Sequence, residues 1–175
     1  HTALKHENKI LVTGGSLGAQ ILDEIVPLAI AEMKNKKIFI THQTRPENVE
    51  KLQRFYAEHK IHANVLSFIR DMSTAIVDAD LVIGRSGAST VIELETIGRP
   101  AILVPLNINP DQVANAASFE KLGGGFAVSQ DRFSVKWLSS TLNELFENPT
   151  RLDKMAKKAY VENLAVKKIA DTVVK

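Results

Sequence analysis

The sequence predicts an α/β fold: a doubly wound parallel sheet of about six strands with crossover helices. Three observations predict it. Short apolar runs alternate with helical patterns about six times along the chain. One run, Leu81-Val82-Ile83, is apolar throughout, the mark of a strand buried on both faces. Two strands, Lys9 to Thr13 (KILVT) and Leu81 to Ile83, run into glycine turns that open helices. In such sheets ligands bind at the carboxyl ends of the strands, so the turns at Gly14, His42, Phe68, Arg85 and Leu106 are expected to share one rim.

The elements follow in order. His1 to Asn8 is polar and reads as a linker or tag remnant, leaving 9–175 as one domain. After KILVT, Gly14-Gly15-Ser16-Leu17-Gly18-Ala19 turns into a helix burying Ile21, Leu22, Ile25, Leu28 and Ala29. Pro27 is expected to kink or split that helix. Lys37 to Thr41 (KIFIT) is the second strand. Thr44 or Pro46 opens a helix carrying Val49, Leu52, Phe55 and Tyr56. Asn64 to Phe68 is the third strand, Phe68 to Met72 a loop, and Ser73 to Val77 a short helix.

Asp80 to Pro105 is the centre of the pattern. Arg85-Ser86-Gly87 turns the chain after the fourth strand, with Gly87 free to take a positive φ and to let a ligand approach the backbone closely. A helix begins near Ala88 or Ser89 and stops at Gly98, with Pro100 beyond. Ala101 to Val104 is the fifth strand. Leu106 to Asp111 is a loop before a helix starting near Gln112 and ending at Gly123-Gly124-Gly125. Phe126 to Ser129 is the last strand. Ser134 caps a helix ended by Asn148-Pro149, and Thr150 caps another. The tail, about 160–175, reads as helical.

Composition narrows the function. The chain has 175 residues, 45% of them hydrophobic, enough for one core. A formal charge of +2 gives no electrostatic case for nucleic acid. Without cysteine there is neither a disulfide nor a thiolate nucleophile. No apolar run approaches the roughly 18 residues of a membrane span. The chain starts at His1 rather than Met and is read as a piece of a longer protein.

The helix after Gly87 suggests a ligand. Free N–H groups at a helix start attract phosphate, and the Ser86, Ser89 and Thr90 hydroxyls add donors. Glu93 lies five residues past Ala88, roughly 7.5 Å along the helix, about the distance from a diphosphate to its ribose diol. A carboxylate there can accept both ribose hydroxyls. The alternative is a plain capped crossover helix with a solvated Glu. A nicotinamide site fits poorly: GGSLGA is not G-x-G-x-x-G, and the second strand ends without an acid. No Walker loop occurs. Asp78 and Asp80 precede their strand, which puts them on the rim away from the site; they read as a solvated turn, not a metal pair. No other cluster has metal-ligand spacing. Of the five histidines, His42 alone falls on the active rim, and reads as satisfied or solvated more readily than as working.

These motifs together resemble the C-terminal, donor-binding half of the MurG family of bacterial peptidoglycan glycosyltransferases. The markers are GGSLGA at Gly14 to Ala19, HQT at His42 to Thr44, FIRDM at Phe68 to Met72, RSGASTVIELETIGRPAILVP at Arg85 to Pro105, and DQVANA at Asp111 to Ala116. The resemblance implies a Rossmann-like half of a GT-B enzyme and covers nearly the whole chain. The family transfers N-acetylglucosamine from UDP-N-acetylglucosamine to lipid I, the undecaprenyl-pyrophosphoryl-linked muramoyl-pentapeptide, with inversion. It implies Ser16 beside the donor diphosphate, with the glycines Gly14, Gly15, Gly18 and Gly87 shaping the phosphate turns. It places the uracil on the Ile69 backbone and the phosphates on Ala88, Ser89 and Thr90, within a binding run that continues through Val91 and Ile92 to Glu93 at the ribose. Gln112 and Asn115 would meet the sugar.

By the same resemblance, no cofactor or metal is expected, and the catalytic base and acceptor groove belong to an absent N-terminal half, on which the tail helix is expected to pack. The full enzyme would work at the membrane surface, on the cytoplasmic face of the bacterial inner membrane. The fragment alone would bind donor weakly without turnover. The loop Leu106 to Asp111 (LNINP) departs from the family pattern. Two other readings stay open: a stand-alone sugar-nucleotide-binding subunit of a two-subunit transferase, and a UDP-sugar 2-epimerase, which needs acid–base groups of which this half offers little beyond His42 and Glu93.

Overall fold

A computed structural model of the chain describes residues 1–162. Six parallel strands form one sheet in the order β3-β2-β1-β4-β5-β6. They are β1 (Lys9–Thr13), β2 (Phe39–Gln43), β3 (His62–Leu66), β4 (Leu81–Gly84), β5 (Ala101–Leu103) and β6 (Gly125–Ala127). The helices are α1 (Gln20–Ala31), α2 (Pro46–Glu58), α3 (Met72–Asp78), α4 (Ala88–Ile97), α5 (Pro110–Leu122), α6 (Val135–Glu147) and α7 (Pro149–Ala159). The order reverses between β1 and β4, so the ligand crevice of a doubly wound sheet falls above those two strands. The predicted fold class is the observed one.

Residue alternation along the strands divides the core between the two faces. Ile10, Val12, Ile40, Leu81, Ile83 and Ile102 pack with Leu22, Val26, Ile30, Leu52, Tyr56, Leu138 and Leu142 of α1, α2 and α6. Leu11, Val82, Ala101 and Leu103 face the other way, against Ile76, Val91, Leu94, Ala116 and Phe119 of α3, α4 and α5. Each strand therefore has apolar neighbours on both sides only where helices cover both.

Several predicted boundaries move. Strand two runs over 39–43 rather than 37–41, its register fixed by Lys9 opposite Phe39 and Thr13 opposite Gln43. Alternation in KIFIT fixes the phase but not the ends, and a two-residue slide keeps every side chain on its own face. His42 thereby joins Ile38 and Ile40 on the buried side. Strand three is likewise 62–66. Pro27 does not split α1, which continues from Gln20 to Ala31, and Leu28 is exposed rather than buried. Helix α5 starts at Pro110, not near Gln112, because Asn109 caps it by accepting from Gln112 N. Asn148 both ends α6 and caps α7, the role expected of Thr150. Tyr160 to Glu162, where the tail helix was expected to begin, are not helical, and the rest of it lies outside the described residues.

The lower rim is tied together by two buried charges. Asp80 is buried, not solvated; it accepts from the backbone N–H groups of His6 (2.9 Å) and Lys9 (3.1 Å). Asp78 pairs with Lys5 and Lys9. The segment 1–8 is docked through these contacts and through Leu4, which packs into the core. Arg99, fully buried, donates to the carbonyls of Thr2, Ala3, Ile76, Val77 and Gly98.

Candidate functional site

The turns after β1, β3, β4 and β5 gather at the carboxyl rim, above the point where strand order reverses. The two helices that start over that point, α1 and α4, have no side-chain cap. Helix α2, preceded by Arg45, is uncapped too, whereas α3, α5, α6 and α7 are each capped by an Asp, Asn or Ser side chain. Helix α4 is capped only by the backbone of Gly87, whose carbonyl receives Val91 N at 3.1 Å. The amides of Ala88, Ser89 and Thr90 have no protein acceptor among the described residues. Such a bare helix tip combines unsatisfied donors with the positive end of the helix dipole.

Gly87 corrects one expectation. Its φ is −62°, an ordinary extended conformation, so positive φ is not why glycine stands here. A Cβ at Gly87 would meet nothing within 4 Å among the described residues. The glycine leaves open space against the helix tip, which suits close approach of a ligand. Gly14 works differently: a Cβ there would sit 2.4 Å from Ala19 N, so the loop closes tightly onto the start of α1. Gly15 and Gly18 have φ of 80° and 71°, and Gly18 N donates to Gly15 O. Ser16 is exposed at the crown of this loop. Arg45, absent from the sequence-based candidates, clamps the loop by donating from Nε to Leu17 O at 2.7 Å.

The other candidates divide into those with free groups and those already committed. Ile69 packs its side chain partly into the core beside α3, while its backbone N–H and C=O lack protein partners among the described residues. Ser86 is fully buried, and its hydroxyl donates to Gln112 O at 2.6 Å, so it is no ligand donor, contrary to expectation. Ser89 is exposed and Thr90 half-buried. Val91 turns into the core and its amide is used within the helix; Ile92 is exposed. Gln112 accepts from Leu106 N at 2.9 Å through Oε1, leaving its amide donors free among the described residues. Asn115 donates to Ser86 O at 3.0 Å, leaving its carbonyl free among the described residues. Those bonds fix both amide orientations and tie the sugar-side candidates to the turn before α4. Half-buried Arg85 donates to Val104 O, and desolvation pulls its guanidinium below its ordinary value. Glu93 is half-buried and accepts from Ser73 Oγ at 2.8 Å, a partner that nothing in the sequence pattern indicates.

His42 lies below this rim and is fully buried. Its Nε2 donates to Asp23 at 2.9 Å and its Nδ1 meets the Tyr56 hydroxyl at 2.8 Å. Asp23 also accepts from Thr44 Oγ1 and Asn48 Nδ2. Burial, and secondarily the charge of Asp23, raises the Tyr56 hydroxyl above its ordinary pKa of 10.0. The folded chain therefore favours the neutral phenol. Its stabilisation is complete below pH 10 and is lost as pH rises past the value at which the unfolded tyrosine ionises. Urea melts are expected to lose up to about 1.4 kcal/mol per pH unit from this group above pH 10. Tyr56→Phe should flatten that alkaline fall while lowering stability at pH 7 by about 1 kcal/mol through the lost hydrogen bond. An unchanged alkaline slope in the variant would contradict the assignment.

The sheet, its bare central helix tips and the rim loops define a Rossmann-like domain of the kind that forms one half of a GT-B glycosyltransferase. The chain belongs to the glycosyltransferase family 28 C-terminal domain family, which matches residues 9–173. It is 40% identical over 172 residues to the UDP-N-acetylglucosamine–N-acetylmuramyl-(pentapeptide) pyrophosphoryl-undecaprenol N-acetylglucosamine transferase of Erythrobacter litoralis, covering 94% of this chain and 43% of that protein. The transferase of the same name from Agrobacterium fabrum is 44% identical over 153 residues, 85% of this chain and 40% of its own length. Among solved structures, MurG of Acinetobacter baumannii superposes with a TM-score of 0.79 at 38% identity, covering 87% of this chain and 44% of that one. The glycosyltransferase VinC shares the fold alone, with a TM-score of 0.62 at 15% identity. The chain thus spans less than half the length of the relatives it matches.

Proposed function

We propose that this chain is the donor-binding half of an inverting N-acetylglucosaminyltransferase that converts lipid I to lipid II. The observation that carries the proposal is the uncapped start of α4, three free amides over the switch point, with Glu93 roughly one and a half turns further along. The amides of Ala88, Ser89 and Thr90 would receive the diphosphate, and Ser16, on the loop before α1, would flank it. Glu93 would accept the ribose hydroxyls and the Ile69 backbone the uracil. The free amide donors of Gln112 and the free carbonyl of Asn115 would meet the N-acetylglucosamine hydroxyls. The names borne by the relatives from Erythrobacter litoralis and Agrobacterium fabrum supply the nucleotide, the sugar and the acceptor.

In a single inverting displacement, the acceptor hydroxyl attacks the anomeric carbon as UDP departs. Negative charge then grows on the diphosphate. Fixed N–H groups at a helix tip stabilise that charge without reorganising at the moment of reaction. The base that takes the acceptor proton, and the groove for the lipid, would lie in the remaining half of the enzyme. Three exposed apolar tips on the rim loops, Leu17, Phe68 and Ile108, are 79%, 72% and 86% accessible and would face that half. The full enzyme would act peripherally on the cytoplasmic face of the membrane; among the described residues no helix is long and apolar enough to cross one. A UDP-sugar 2-epimerase fits less well, because His42 is buried and committed to Asp23 and Tyr56.

Calorimetric titration of the chain with UDP and UDP-N-acetylglucosamine is expected to show weak binding of both, with no lipid II formed by the chain alone. Glu93→Ala should weaken UDP binding roughly tenfold to a hundredfold, the worth of hydrogen bonds to a charged acceptor. Binding of UDP that Glu93→Ala leaves intact would defeat the assignment.

A further inference from the structure

We propose that Ser73 is a positioning residue for the nucleotide: it holds Glu93 in the rotamer that presents a carboxylate oxygen to the ribose diol. The inference rests on the reading that Glu93 takes that diol.

Ser73 and Glu93 are 20 residues apart, on different helices, yet Ser73 Oγ donates to Glu93 Oε2 at 2.8 Å. This is the one hydrogen bond to the Glu93 side chain among the described residues, so Oε1 is left without a protein partner. A glutamate side chain has three rotatable bonds, and fixing it on ligand arrival opposes binding through lost rotamer freedom. A hydroxyl that already holds one carboxylate oxygen removes part of that opposition before the nucleotide arrives.

Ser73 is itself well fixed. It sits in the first turn of α3, which Asp71 caps by accepting from Thr74 N at 3.0 Å and from Thr74 Oγ1 at 2.6 Å. Those bonds, the Thr74 hydroxyl first, hold the Asp71 carboxyl below its ordinary value. Below Ser73, Ile76 of α3 packs with Val91 and Leu94 of α4, and Ile69 and Met72 pack onto the same cluster. The loop offered to the base and the acid offered to the ribose are thus parts of one packed unit, and Ser73 Oγ is its polar link. The chemistry selected is a nucleotide with free 2′ and 3′ hydroxyls.

The test compares UDP with 2′,3′-dideoxy-UDP, titrated into the chain and into Ser73→Ala and Ser73→Thr. The wild-type chain should prefer UDP. Ser73→Ala should weaken UDP binding about three- to tenfold and leave dideoxy-UDP binding unchanged, since the effect passes through the diol. Ser73→Thr, which keeps the hydroxyl, should restore most of the UDP affinity. A purely structural serine would weaken both nucleotides alike. If the wild-type chain prefers UDP but Ser73→Ala weakens both equally, or neither, the Ser73 proposal is overturned while the reading of Glu93 stands. If the wild-type chain binds the two nucleotides equally, or binds neither, the Glu93 reading fails and this proposal with it.

Discussion

Arg99→Met is expected to lower folding stability by about 3–5 kcal/mol, enough to remove a large part of the margin of a domain this size. Arg99 is fully buried, yet among the described residues its guanidinium meets no carboxylate directly. It instead donates to five carbonyls, at distances from 2.6 Å to 3.4 Å. Ile76 and Val77 belong to the last turn of α3, Gly98 ends α4, and Thr2 and Ala3 lie in the amino-terminal segment. The planar fork fits this arrangement, since its N–H groups point in several fixed directions. Methionine fills similar volume but takes this donor from the carbonyls of Thr2, Ala3, Val77 and Gly98, while Ile76 O keeps the amide of Ala79, and it removes the cation whose field acts on buried Asp80. Arg99→Lys should recover only part of the loss, because an ammonium cannot span the same carbonyls. Urea midpoints measure the loss, and trypsin cleavage at Lys5 and Lys9 reports release of the segment. A loss under about 1 kcal/mol would mean that water replaces the guanidinium at no great cost.

The sequence made the layer order and the rim legible, because apolar runs, glycine turns and strand-helix alternation are local signals. Gly98 as a helix stop and the helix after Gly87 were readable for the same reason. What escaped was any contact between distant positions. Ser86 looked like a hydroxyl donor at the rim, but a residue 26 positions away claims its proton. Of the two readings of Gly87, the positive φ fails, because its φ is −62°, while the close approach of a ligand to the backbone is supported by the space it leaves. Arg99 reads as an unremarkable charge after a helix stop, and no pattern shows that five carbonyls converge on it. Ser73 and Glu93 meet only because α3 and α4 lie side by side. The ends of β2 moved because alternation is silent about where a strand stops, and His42 could enter the core only with Asp23 and Tyr56 already there.

Asp23→Ala is the second large loss, again about 3–5 kcal/mol, and it should reach the ligand rim as well. The Asp23 side chain is 13% exposed and the His42 side chain is fully buried. Three donors converge on the carboxylate: His42 Nε2 at 2.9 Å, Thr44 Oγ1 at 2.6 Å and Asn48 Nδ2 at 3.2 Å. Alanine leaves the buried His42 and Thr44 donors without this acceptor, while half-buried Asn48 can turn to water, and an unmade buried hydrogen bond is dearer than a made one is valuable. Asp23→Asn keeps one acceptor oxygen and the side-chain shape, so about 1–2 kcal/mol is expected from it. The consequence for function follows from position. Asp23 stands in the first turn of α1, next to the loop that carries Ser16. Thr44 leads directly into Arg45, whose Nε holds Leu17 O in that same loop. Loosening Asp23 therefore frees the Ser16 loop, proposed to flank the diphosphate, from both sides at once. Asp23→Asn, which should still fold, is expected to weaken UDP binding several-fold in the calorimeter while the melting transition stays cooperative. Undiminished UDP affinity in that variant would show that the loop keeps its shape without the network, and that Asp23 serves the core alone.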